Sequence, residues 1–325
     1  MKKIKFSKRL ATITTVALMS VLPSSVFAAE YPEKPITAIV PFGAGGGTDS
    51  YARTLSSVAY DVLKQPIVVV NRPGGSGYVG AKFAADARND GHTIMIQSAG
   101  SFILSGMLQK RPVDPFKDFI PVSVIGQLHT GIVVKKDSPY QTVQDLIADA
   151  KKKKLIWAHA GRGGVHYMAA SALEQLHGFS AKDVPYKGGG NVRNALLGGQ
   201  VDFAWIGVQQ VAGFEDSLRV LGVANTERDP VQNSYKTFEE LGVDYSRFVS
   251  PITVYVPKGT DAKIIEKLAV SIKEMQTQKA FKKLTKGAGL AVMYKDPAET
   301  KLYLETLRDE WAPIVEKVKA KLAKK

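Results

Sequence analysis

The chain contains no cysteine, which removes disulfides, thiolate metal sites, cysteine nucleophiles and the lipid-bearing cysteine of bacterial lipoproteins together. It is also short of long apolar runs, and beyond the N-terminus no stretch approaches the roughly 20 residues that a membrane-spanning helix needs. Catalytic signatures are scarce. There is no Gly-x-Ser-x-Gly elbow, no Ser-x-x-Lys and no His-Glu-x-x-His, and the 5 histidines show no metal-ligand spacing. An exported hydrolase using an acid pair such as Asp49 and Asp202 is therefore the minor reading. No cofactor and no metal are expected.

What is present begins with an export signal: Lys2, Lys3, Lys5, Lys8 and Arg9, an apolar run from Leu10 to Leu22, and a small-residue site at Val26 and Ala28. Cleavage near Ala28 leaves a soluble periplasmic protein. It also lowers the formal charge from +14 to +9, that is 39 basic against 30 acidic residues. A basic surface attracts nucleic acid, anionic lipid or small anions, and an exported protein does not meet nucleic acid. The Lys151 to Lys154 run and the Lys317 to Lys325 tail read as solvated helix ends.

From Ile36 onward, short β-rich runs alternate with helical stretches. The strands expected first are Ile36 to Val40, Ile67 to Val70 and Thr93 to Ile96. Between them lie a helix carrying Tyr51, Leu55, Val58 and Val62 on one face and a second helix over Val79 to Arg88, which makes a parallel βαβαβ unit. The same grammar restarts near Ile132. After Pro251 come a strand over Ile252 to Val256 and two helices, one bearing Ile265, Leu268, Ile272 and Met275, the other starting at Asp296-Pro297. This C-terminal pair packs most simply on the first domain. The expected organisation is a signal at 1–28, a discontinuous domain 1 at 29–130 and 251–325, and domain 2 at 131–250, with two chain crossings as a hinge.

The most informative segment is Pro41-Phe42-Gly43-Ala44-Gly45-Gly46-Gly47-Thr48-Asp49. It joins the first strand to the first helix at the carboxyl edge of a parallel sheet, where ligands of open α/β sheets gather. Glycines expose backbone amides and the helix start adds unpaired N–H donors, so the loop suits an anion. It is neither a P-loop nor a dinucleotide fingerprint. A tight turn with Thr48 or Asp49 as N-cap is the plain alternative, compatible with binding. Domain 2 offers a counterpart in Gly161-Arg162-Gly163-Gly164-Val165-His166, where Arg162 can present a bidentate guanidinium to a carboxylate or stay a solvated surface residue. Further rim positions are Ser98 and Ala99 after the third strand, and Tyr186 and Lys187 before a glycine run.

Several blocks occur in order: Tyr31-Pro32-Glu33-Lys34-Pro35-Ile36, Gly47-Thr48-Asp49, Asn71-Arg72-Pro73-Gly74-Gly75-Ser76-Gly77, Asp90-Gly91-His92-Thr93, Asp114-Pro115-Phe116, Val184-Pro185-Tyr186-Lys187-Gly188-Gly189-Gly190 and Leu197-Gly198-Gly199-Gln200-Val201-Asp202. In these the chain resembles the tripartite tricarboxylate transporter solute-binding proteins, the Bug family. The resemblance implies a type II periplasmic-binding-protein fold, two α/β lobes joined by a two-crossing hinge with a ligand cleft between them. It implies a monomeric receptor that holds a small organic carboxylate, tri- or dicarboxylates favoured, partly through water, between Gly43 to Asp49 and Gly161 to His166. It further implies a secondary transporter of one large and one small membrane subunit as partner. An exported sensor component for a membrane signalling system would use the same fold and site. Two departures from the family pattern stand out: Arg162-Gly163-Gly164 where a small or hydroxylated residue is usual, and Pro251-Ile252-Thr253 where a tryptophan-led strand is usual.

Overall fold

The computed structural model describes residues 31–322; the export signal read at 1–28 and the last three residues lie outside them. In chain order the elements are β1 (Ile36–Val40), α1 (Gly47–Leu63), β2 (Ile67–Asn71), α2 (Tyr78–Ala85), β3 (Thr93–Ser98), α3 (Ala99–Leu108) and β4 (Phe119–Leu128). Then follow β5 (Thr130–Lys135), α4 (Val143–Ala150), β6 (Ile156–His159), α5 (Val165–His177), β7 (Lys182–Pro185), α6 (Gly189–Leu197), β8 (Phe203–Gly207) and β9 (Leu218–Val223). The chain ends with β10 (Ser250–Pro257), α7 (Ala262–Thr277), α8 (Lys279–Gly287), β11 (Ala291–Lys295) and α9 (Pro297–Leu322).

Two sheets organise these elements, one with strand order β11-β4-β10-β3-β1-β2 and one with order β7-β6-β8-β5-β9. β1 runs parallel to both β2 and β3, as the alternating sequence grammar requires. Ile36, Ala38, Ile39 and Val40 are all fully buried, because helices cover both faces of this part of the sheet. α1 turns Tyr51, Leu55 and Val58 inward and leaves Tyr60 on the surface; it stops at Lys64, whose left-handed φ of 56° breaks the helical path. In the second sheet β6 is parallel to β7 and β8, while β5 is antiparallel to β8 and β9.

Several elements differ from the sequence reading. β4 was not expected as a strand, since Pro121 interrupts its run; in the structure the proline pairs with Tyr255 beside a register shift, and the β11 pairing covers only Val124 to Gln127, so no partner needs the missing N–H. Ser98-Ala99-Gly100-Ser101, singled out as a ligand rim or equally a plain turn, opens α3, with Ser98 Oγ accepting the Ser101 amide at 3.3 Å. The C-terminal stretch holds α8 and β11 in addition to the two expected helices.

β3 and β10 are antiparallel neighbours with Ser98 opposite Ile252, so the start of β10 sits beside the start of α3. Leu128 ends β4 in the first sheet and Thr130 begins β5 in the second, so the chain passes from one sheet to the other at His129. α9 packs on α3 and β4 beside the first sheet, and both α3 and α9 touch α5 beside the second.

Candidate functional site

The first loop is shaped from behind by a buried carboxylate. Asp49 Oδ2 accepts the Gly45 amide and Arg53 Nε, both at 2.9 Å, and Oδ1 accepts Asn71 Nδ2 at 2.8 Å. Asn71 Nδ2 also donates to the Phe42 carbonyl at 3.0 Å, which pins both ends of the loop. Burial alone would raise the Asp49 pKa, but Arg53, the Gly45 amide and Asn71 outweigh it and hold the carboxyl below its ordinary value. The helix itself begins at Gly47 with Gly46 as cap, not with Thr48 or Asp49 as cap. Gly45 bends back with φ of 76°, open to glycine without strain.

The second loop has a similar support. His159 Nδ1 accepts the Gly161 amide at 3.1 Å, so the proton lies on Nε2, which donates to Asp183 Oδ2 at 3.1 Å. Arg162 clamps the same carboxylate through Nε at 2.6 Å and a terminal nitrogen at 3.1 Å. Burial would raise the Asp183 pKa; His159 and Arg162 reverse that and hold it well below the carboxylate range. The Arg162 side chain remains 60% exposed. An exposed ion pair contributes about 0.2–1 kcal/mol, so Arg162→Ala should weaken ligand binding by at most about fivefold in calorimetry. Direct contact between guanidinium and ligand would cost tenfold or more.

Across the cleft the lobes meet largely through backbone. The Gly43 amide donates to the Lys187 carbonyl at 2.8 Å, Ser76 Oγ donates to the Arg162 carbonyl at 2.6 Å, and the Val165 amide donates to Ser101 Oγ at 3.2 Å. Beside this seam is a partly open cavity of about 40 Å³, room for a few water-sized groups. The starts of four helices reach it: Gly46, Gly47 and Thr48 from α1, Ser98 and Ser101 from α3, His166 from α5 and Gly189 from α6. Each helix start carries unpaired N–H groups and about half a positive charge. No Lys, Arg, Asp or Glu is among the lining residues.

Of the residues singled out from sequence, Phe42, Gly46, Gly47, Thr48, Ser98 and His166 line the cavity. Gly43, Ala44 and Gly45 lie at the seam with the second lobe, facing the backbone of Lys187 to Gly190. Gly161 and Gly163 abut Ser76 and Ser105, Gly164 abuts Ser101, and Val165 contributes its amide to the seam. Asp49 and Ala99 are buried away from the cavity, and the Arg162 guanidinium points to Asp183 instead. Tyr186 donates to Gln200 Oε1 at 3.2 Å, and Lys187 contributes only its carbonyl to the seam.

Leu128, Gly207, Gln209, Gln210 and Ser250 also line the cavity and went unread in the sequence. For the glutamines a signal existed: two amides directly after the wholly buried Phe203–Gly207 strand, at the sheet edge where ligands collect. Ser250 had none, since its position depends on an antiparallel pairing between distant segments.

Residues 51–320 match the family described as tripartite tricarboxylate transporter family receptor. The protein BugT of Bordetella pertussis is 31% identical over 325 residues, covering 97% of this chain and 99% of that protein. Among solved structures, MatC from Rhodopseudomonas palustris with bound malate superposes with a TM-score of 0.81 at 26% identity, covering 88% of this chain and 100% of that one. An adipate-bound R. palustris protein gives 0.83 at 25%, covering 89% and 98%. The periplasmic binding protein BugD gives 0.81 at 27%, covering 89% and 98%. With two α/β lobes, a cleft closed by glycine loops and agreement along most of its length, the chain belongs to the tripartite tricarboxylate transporter receptor family, the Bug proteins.

Proposed function

We propose that the protein captures a small organic carboxylate, di- or tricarboxylates first, between its two lobes in the periplasm and releases it unchanged to a secondary transporter of one large and one small membrane subunit. The observation that carries this reading is the meeting of four helix starts on one cavity whose lining holds no charged side chain. An anion there is met by oriented amides and hydroxyls already in place, so binding needs no cationic side chain to be desolvated. The malate and adipate bound by two structural relatives support the carboxylate class. Processing near Ala28, a monomeric state and lobes at 29–130 with 251–325 and at 131–250 complete the proposal.

A thermal-shift panel tests it. A carboxylate present at about 100 times its Kd adds roughly 2.7 kcal/mol to the folded state, so at least one carboxylate should raise the melting temperature by several degrees and be recovered chemically intact. A panel in which only sugars or cations raise it would overturn the proposal.

A further inference from the structure

We propose that His166 and Gln210 form a specificity pair that reads a hydroxyl on the ligand, so that the site prefers a hydroxycarboxylate over the same carboxylate lacking the hydroxyl. This deepens the carboxylate-receptor reading and rests on it. Much of the polar lining is already engaged: Ser98 Oγ and Ser250 Oγ bond each other at 2.7 Å, and Ser101 Oγ accepts the Val165 amide at 3.2 Å. His166 and Gln210 differ. Both line the cavity, and His166 Nε2 and Gln210 Oε1 are buried without any partner, Gln210 being only 3% exposed. Buried polar groups of native proteins are paired, so two orphans on one ligand cavity mark places where the ligand supplies the missing bond.

The chemistry of the pair selects what it reads. Burial, then the neighbouring His159, push the His166 pKa down to about 3, so the imidazole is neutral and offers no charge to a second carboxylate. The glutamine oxygen is an acceptor and repels one. An ammonium group suits Gln210 but would sit among four helix starts with no acidic lining residue to balance it, and Asp49 spends both oxygens on Gly45, Arg53 and Asn71. A neutral hydroxyl both donates and accepts, and meets each requirement.

Calorimetry on the mature protein with matched pairs (lactate and propionate, malate and succinate, citrate and tricarballylate), together with aspartate, tests the assignment. In whichever pair binds, the hydroxy compound should bind at least tenfold tighter, because its analogue leaves two buried groups unpaired. Gln210→Met and His166→Phe should each cut that ratio below threefold. Melting temperatures check both folds, and either variant suffices. Equal wild-type affinities within the binding pair, ratios unchanged in the folded variants, or aspartate binding tighter than malate would overturn the pair. Binding of no carboxylate would instead sink the receptor reading.

Discussion

Replacing Gly190 by valine is expected to reduce carboxylate affinity by more than 100-fold while the ligand-free protein keeps its melting temperature. A Cβ at Gly190 would lie 3.0 Å from the Gly45 carbonyl oxygen, 3.1 Å from its carbon and 3.3 Å from the Ala44 oxygen. All three are backbone atoms of the first loop, in the opposite lobe, and backbone pinned by Asp49 and Asn71 cannot turn aside as a side chain would. The added bulk therefore penalises the approach of the lobes and not the folding of either one. Micromolar binding requires about 8 kcal/mol, more than the amides and hydroxyls of one lobe supply at roughly 0.5–1.5 kcal/mol for each neutral hydrogen bond. Gly189→Ala is the control: its Cβ would first meet the Gln210 side chain at 3.5 Å, an ordinary contact, so binding should survive. Calorimetry on both variants decides, and unchanged affinity in Gly190→Val would mean that the lobes need not close over the ligand.

Trp205→Ala is the complementary case, in which stability fails. Trp205 lies in β8 at 1% exposure, edge-on to Phe238, and its indole N–H donates to Thr130 Oγ1 at 3.4 Å across to β5. Truncating a fully buried tryptophan costs about 3–5 kcal/mol, since the surrounding strands cannot collapse into the void. For a protein of this size that lowers the melting temperature by roughly 10 °C. Differential scanning fluorimetry without ligand reads the effect directly, and a drop under about 2 °C would contradict the packing described for β8.

The same contrast between local and long-range causes decides how much the sequence revealed. β1, β2, β3, α1 and α4 were legible because their apolar spacing is local and uninterrupted, and the first loop because its glycines precede a helix at a sheet edge. β4 was hidden by Pro121, tolerable only because β11 does not reach that residue. Helix α3 was hidden because Ala99 to Ser101 reads equally as a turn until Ser98 caps it. For Asp49 and Arg162 the sequence left two roles open, ligand contact or local support, because the partners that carry the loops from behind, Asn71 and Asp183, lie 22 and 21 residues away. Ser250 reaches the cavity through a pairing between distant segments that no local pattern encodes, whereas Gln209 and Gln210 were passed over although they follow the buried Phe203–Gly207 strand at a sheet edge.

The most direct measurement is a crystal structure of the protein with the carboxylate that gives the largest thermal shift. The account predicts the carboxylate enclosed between the lobes, its oxygens within hydrogen-bonding reach, directly or through one water, of the amides at Gly46 to Thr48 and of the α5 or α6 start, with the Arg162 guanidinium still on Asp183. A ligand bound outside that cavity, or held chiefly by the Arg162 guanidinium, would contradict it.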